Sequence, residues 1–127
     1  MTNPFRDQEK FMKACDQTVG TENIDQYRLY HNLMKEEFAE LEASTTKEDD
    51  LDALIDILVV TIGAIHSMGA DAEGAWKEVM STNFAKIDNQ TGKVRKREDG
   101  KVLKPQGWTP PDLKPFVVRN SAFNKFS

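Results

Sequence analysis

The residues best suited to chemistry in this chain are carboxylates set among apolar side chains. Between residues 27 and 41, Tyr27, Tyr30, Met34, Phe38 and Leu41 recur at helical spacing. Projected at about 100° per residue, Glu37 and Glu40 fall inside the apolar arc and Glu36 lies on its edge. A carboxylate on an apolar face is costly unless something neutralises it. The next apolar segment sharpens the problem, because Leu51, Leu54, Ile55, Ile57, Leu58, Val59, Val60 and Ile62 surround Asp56. Such a helix is expected to be buried on all sides, and Asp56 with it. Asp52 lies one turn before Asp56 on the same face, where two like charges repel.

Two kinds of cation answer that repulsion. A buried Lys or Arg is one, but residues 1–90 carry only 8 Lys/Arg against 18 Asp/Glu, and few of these cations fall on apolar faces. A divalent metal is the other, since it takes several oxygen ligands from different elements and leaves room for water and phosphate. A donor set of oxygens without imidazole favours Mg²⁺ or Mn²⁺ over zinc. Other acidic residues, among them Glu42, Glu48, Asp49, Asp50, Glu73 and Glu78, read as a solvated helix face. The lone Cys15 excludes an intrachain disulfide and reads as a packed thiol. His31 and His66 read as surface or packing histidines, and Trp76 as core.

Helices must position these groups. Asn3-Pro4 starts a first helix expected to run to about Thr18, with Pro at its first position. Gly20 and Thr21 interrupt it, and a second helix is predicted over about residues 23–43. Thr45 with Glu48, and Thr46 with Asp49, offer capping-box starts for a third over about 47–67, ending near Gly69. Asp71 opens a fourth, reaching about Ile87. Short loops between long helices imply antiparallel neighbours, so the predicted fold class is all-α: an antiparallel bundle of about four helices over residues 1–90.

Residues 91–127 differ in kind. Gly92, Asp99-Gly100, Pro105, Gly107, Pro110, Pro111 and Pro115 prevent another long helix. Segments 95–97 and 101–104 flank Glu98-Asp99-Gly100 as a short hairpin, and the rest is expected to lie extended over the bundle or a partner subunit, with Trp108 pinning it. This tail carries 9 Lys/Arg against 3 Asp/Glu, a net of +6, whereas residues 1–90 stand at −10. An acidic body with a basic tail suits a protein that gathers carboxylates in one place and offers cations to phosphate from another. No apolar run is long enough for a membrane span and no signal pattern opens the chain, so a cytoplasmic location is expected.

The ordered motifs resemble the MazG-like, all-α NTP pyrophosphatase superfamily, whose signature is Glu-Glu-x-x-Glu on one helix and an acidic pair on the next. Here the first half reads Glu36-Glu37-Phe38-Ala39-Glu40 and the second Asp52-Ala53-Leu54-Ile55-Asp56, continuing to Gly63. Together with Ser81–Lys86, Asp99–Pro105 and Thr109–Leu113, they look most like the branch of phosphoribosyl-ATP pyrophosphohydrolase-like and dimeric-dUTPase-like members. One departure is Ala53, where the superfamily often has Glu; the acid here is Asp52, four residues before Asp56, and both spacings reach one helix face.

The resemblance implies hydrolysis of a nucleoside triphosphate, a deoxynucleotide above all, between its α and β phosphates. It implies metal binding by Glu37, Glu40, Asp52 and Asp56, with Glu36 as a further ligand or a water-orienting base. Asn83 and Lys86 look like the family's phosphate or sugar contacts, with Lys101 and Lys104 reaching the phosphates from the tail. The remaining tail cations Lys93, Arg95, Lys96 and Arg97 read as solvated surface. A homodimer or a dimer of dimers is implied as well. Two rivals stand beside this reading: phosphoribosyl-ATP pyrophosphohydrolase, and a non-catalytic helical dimer whose basic tail binds nucleic acid.

Overall fold

Asn3 sets the first helix, its side-chain oxygen accepting from the backbone N–H groups of Phe5 (3.0 Å) and Arg6 (3.2 Å) ahead of Pro4. In the computed structural model, which describes residues 2–119, α1 spans Pro4–Ala14, α2 Ile24–Ala43, α3 Lys47–Ser67 and α4 Ala72–Phe84. A 3₁₀ turn at Lys114–Phe116 follows, and the described residues contain no strand. None of these helices is long and apolar enough to cross a membrane. Residues 120–127, the end of the predicted tail, lie outside the described residues.

The predicted helix bounds hold at α2 and α3, where caps punctuate the chain. Asn23 accepts from Gln26 N–H and Thr46 from Asp49 N–H, each at 3.0 Å. Of the two capping-box starts, the chain uses Thr46. Past α3, Gly69 takes a left-handed φ of 75°, which its lack of a Cβ makes inexpensive. Two expectations run long. α1 stops at Ala14 rather than near Thr18, because Asp16 turns left-handed at φ 58° and Gln17 N–H returns to the Met12 carbonyl. α4 stops at Phe84 rather than Ile87, with the Lys86 and Ile87 N–H groups closing tight turns onto Asn83 and Phe84.

The described chain divides into two compact units: everything through Ala72 with the segment from Phe116, and Glu73–Pro115. In the first unit α2 and α3 pair along their lengths and α1 packs on α3. Two helices of about 20 residues joined by Ser44–Thr46 pack side by side only if they run antiparallel. Met12, wholly buried, joins Tyr30, Val60 and Ala64 in the core. Gly63 lies against the Tyr30 ring so closely that a Cβ there has no room. A buried polar set locks the ends: Gln26 Nε2 donates to Thr18 O and Ser67 Oγ, both at 2.8 Å, and Ser67 Oγ donates to Gly63 O. His66 is a packing histidine, its Nε2 2.8 Å from Phe5 O, and His31 is an exposed one stacked on Tyr27.

Three burial expectations are corrected. α3 is not buried all round, since Leu51 (62% exposed), Leu54 (51%), Ile55 (51%) and Leu58 (48%) face outward from this chain. α2 and α1 are the helices that pack along it, and among the described residues one stripe of α3 is left uncovered. Asp56 is accordingly half-buried rather than buried. Cys15 is exposed, because it caps α1 beside the outward-facing Phe11 while Met12 takes the inward face. Trp76 is 57% exposed on α4 rather than core.

In the second unit, α4 leads into a chain that doubles back on itself. Isolated antiparallel bridges join Ile87 to Val94 and Lys96 to Val102, with Arg97 N–H on Lys101 O and Leu103 N–H on Arg95 O. The turn at 98–100 thus forms, with bridges in place of full strands. Trp108 pins the return, its indole N–H donating to Thr82 O at 2.7 Å, and Asp112 N–H donates to Glu78.

Candidate active site

α2 and α3 bring the acidic motifs face to face. Glu37 and Glu40 share one side of α2, Asp52 and Asp56 one side of α3, and the charges of Glu40, Asp56 and Asp52 all bear on Glu37. Glu37 is the centre of the set: half-buried, with Oε2 shut off from solvent and without a hydrogen-bond partner among the described residues. Its carboxyl is pushed above the ordinary range, first by burial, then by the charges of Glu40 and Asp56. A contact with the Glu40 carboxyl that favours the protonated form adds to this, as does the charge of Asp52.

The described residues place no Lys or Arg against this cluster as an ion-pair partner; ion pairs elsewhere join Lys13 to Glu9, Arg28 to Asp25 and Arg97 to Asp99. Glu40 and Asp52 are exposed, so the cluster opens to solvent on one side. Glu36 is exposed too, and is not among the charges that raise Glu37. No three acidic, histidine or cysteine groups among the described residues are drawn tightly enough to form a ready-made cage. The chemistry of the donors nevertheless fits a hard divalent cation: an all-oxygen set, mutually repelling, with one orphaned oxygen aimed inward. Such an ion keeps several waters and needs few protein ligands.

The predicted phosphate contacts belong to the second unit. Asn83 lies on α4 and its Oδ1 accepts from Lys86 Nζ at 3.1 Å. Lys86 and Lys104 both approach the Trp108 ring, 5.1 and 4.9 Å from its centroid. Lys101 sits by the 98–100 turn, its N–H on Asp99 Oδ1, with its side chain exposed. Arg97 is bound in a fork by Asp99, which raises the guanidinium and lowers the Asp99 carboxyl.

Arg95, which by residue type reads as solvated surface, is exposed and has a further place in the fold. It lines a recess of about 610 Å³ with Lys86, Asp88, Leu103, Lys104 and Pro105. Nothing in residue type separated it from Lys93, Lys96 and Arg97; only the Leu103–Arg95 pairing shows which of these cations faces Lys104.

Against known proteins, the family model described as phosphoribosyl-ATP pyrophosphohydrolase matches residues 8–83. No curated protein matches the chain.

Proposed function

The chain belongs to the phosphoribosyl-ATP pyrophosphohydrolase family, within the MazG-like all-α NTP pyrophosphatase superfamily, and from that premise we propose a metal-dependent nucleoside triphosphate pyrophosphohydrolase. The coarse class follows from the family: a pyrophosphohydrolase, acting on phosphoric anhydrides. The finer reading is cleavage between the α and β phosphates, giving a nucleoside monophosphate, a deoxynucleotide above all, and pyrophosphate.

One observation carries it. Glu37, Glu40, Asp52 and Asp56 lie on the facing helices α2 and α3, a Glu37 oxygen is shut off from solvent without a hydrogen-bond partner, and among the described residues no basic side chain pairs with the set. Glu37, Glu40, Asp52 and Asp56 would hold Mg²⁺ or Mn²⁺, with exposed Glu36 free to orient water at the rim. When bound, that ion supplies charge neutralisation for the phosphate oxygens and lowers the pKa of water. The helices contribute fixed spacing, since the i, i+3 and i, i+4 pairs on α2 and α3 hold the carboxylates in place before substrate arrives. A cation displaces the proton that Glu37 otherwise favours, so metal binding and the raised Glu37 carboxyl oppose each other. Asn83, Lys86, Lys101 and Lys104 are assigned to the substrate's phosphates or sugar.

The exposed stripe of α3 supports assembly as a homodimer or a dimer of dimers, and a cytoplasmic setting fits such an enzyme. A second substrate reading rests on the family's own described activity, hydrolysis of phosphoribosyl-ATP.

The test is a panel of ribo- and deoxynucleoside triphosphates with phosphoribosyl-ATP, incubated with Mg²⁺. Pyrophosphate is the expected first product, and Glu40→Ala and Asp56→Ala abolish its release while the helical circular dichroism persists. Orthophosphate as first product excludes α–β cleavage, and turnover of phosphoribosyl-ATP alone assigns the second reading.

A further inference from the structure

The metal and substrate residues leave most of the chain's basic ribbon unused. That ribbon belongs wholly to the second unit and is framed by its own backbone. Arg97 N–H donates to Lys101 O (2.8 Å) and Gly100 N–H to Arg97 O (2.9 Å), which closes a three-residue loop over Glu98-Asp99-Gly100. Gly100 takes a left-handed φ of 87°, the conformation such a loop asks of its last residue. Below the loop Lys96 bridges Val102 and Leu103 N–H donates to Arg95 O (2.8 Å), while Val94 bridges Ile87 at the root. Residues 93–104 carry six Lys/Arg against two acids, Glu98 and Asp99.

Half of those cations are already committed. Arg97 is forked by Asp99, Lys104 lies on the Trp108 ring, and Lys101 is assigned to the substrate. Lys93, Arg95 and Lys96 are exposed, and among the described residues none of the three has an ion-pair partner. Side chains alternate along an extended segment, so Arg95 and Lys96 lie on opposite faces of the ribbon. Unpaired charge on both faces suits insertion between two anionic walls better than contact with one flat surface. What the ribbon lacks narrows the partner further. Residues 93–104 contain no aromatic ring on which unstacked bases could sit. Their apolar side chains are Val94, half-buried at the root, with Val102 and Leu103 each only about one-third exposed. None is an anchor of the kind that centres a protein–protein contact.

We propose that the ribbon over residues 93–104 docks in the major groove of duplex DNA, with Lys93, Arg95 and Lys96 on the phosphates of its two walls. That groove admits a two-stranded ribbon, and backbone phosphates ask for cations alone. The docking is independent of base sequence, because phosphate contacts position a protein without reading bases. Residues 1–72 carry 6 Lys/Arg against 15 Asp/Glu and repel the same polyanion, which leaves the ribbon as the attachment and makes its grip sensitive to salt. The three phosphate ligands are none of those assigned to metal or substrate, so the docking is independent of the proposed pyrophosphohydrolase activity.

Fluorescence anisotropy of a labelled, random-sequence DNA duplex, titrated with the full chain in chelator at low ionic strength, reads the docking without turnover. Three phosphate contacts give a slope of log affinity against log salt of about −2.7. Lys93→Ala, Arg95→Ala and Lys96→Ala should each make that slope shallower by about 1, and the triple variant should lose salt-dependent binding. Arg95→Lys keeps the charge and should keep the slope. Lys10→Ala, at an exposed cation on α1, should leave affinity and slope unchanged. Matched thermal melts establish that the variants, all at exposed side chains, fold alike. Absence of duplex binding at low salt, or binding that the triple variant retains, overturns the proposal. So does tighter binding of a single DNA strand of the same length, of duplex RNA, or of poly-glutamate as a stand-in for an acidic protein. None of these outcomes depends on nucleotide hydrolysis, so they stand apart from pyrophosphate release.

Discussion

Glu37 concentrates the physical tension of the first unit in one side chain. Its carboxyl titrates higher in the folded chain than in the unfolded one, through burial first and the charges of Glu40, Asp56 and Asp52 after it. The folded protein thus keeps a proton over a pH range in which the unfolded chain has released it. That contribution to stability is complete below the unfolded carboxyl range and is lost as pH rises through the raised folded value. In chelator, urea midpoints measured at about pH 5 and about pH 7.5 should therefore show a loss attributable to Glu37. Glu37→Gln should remove that part of the difference and make the metal-free protein relatively more stable at the higher pH. Mg²⁺ should act in the opposite sense, stabilising the unsubstituted chain at neutral pH by about 2.7 kcal/mol at a hundredfold excess over its dissociation constant. A Glu37→Gln protein that follows the unsubstituted chain at both pH values, with and without Mg²⁺, would remove Glu37 from the cluster.

At the scale of elements, the α2–α3 pairing is what delivers the carboxylates, and its tightest point is Gly63 against Tyr30. A methyl group at residue 63 overlaps the ring, and Tyr30 is held by its hydroxyl's hydrogen bond to Gln17. Gly63→Ala gains up to about 1 kcal/mol of helix propensity, yet overpacking of this kind costs about 1–3 kcal/mol. The expected result is a net loss in urea denaturation, reduced when Tyr30→Phe frees the ring to shift. Equal stability of Gly63→Ala and the parent would show that the helices separate there without cost. Gln26 and Ser67 hold the same pair one helical turn further along, where α2 begins and α3 ends. Ser67→Val leaves the buried Gln26 amide short of an acceptor and should cost about 1–3 kcal/mol in the same assay.

At the scale of the whole molecule, the large apolar side chains that remain exposed are the main unresolved term. Leu51, Leu54, Ile55 and Leu58 on α3, with Phe38 on α2, form more outward apolar surface than a lone helical unit of this size ordinarily leaves wet. Under the proposed assembly a second copy covers that stripe. Light scattering should then give at least twice the 14.4 kDa of one chain. Paired Leu54→Glu and Leu58→Glu substitutions should shift the particle towards a single chain without erasing the helical signal. A monomer in the unsubstituted protein at working concentration would exclude the assembly.

Local signals determined much of this protein. Asn23, Thr46 and Gly69 set the bounds of α2 and α3 by hydrogen bonds and backbone freedom that act within a few residues, so those bounds were readable from residue type. The acidic motifs were readable for the same reason, since helical period alone places Glu37 with Glu40 and Asp52 with Asp56. The ends of α1 and α4 were not, because the left-handed turn at Asp16 and the tight turns at Lys86 and Ile87 are made by backbone bonds at residues whose types carry no stop signal. Burial was misread wherever an apolar residue's partner decides the matter. Trp76, Cys15 and the outward stripe of α3 are apolar by type and exposed by packing, since periodicity states which residues share a face and not what covers it. Arg95 shows the same limit in the other direction. The reversal around 98–100 is legible in the sequence, but the register that pairs 95 with 103 and the approach of Lys86 to the same hollow are decided by the tertiary structure.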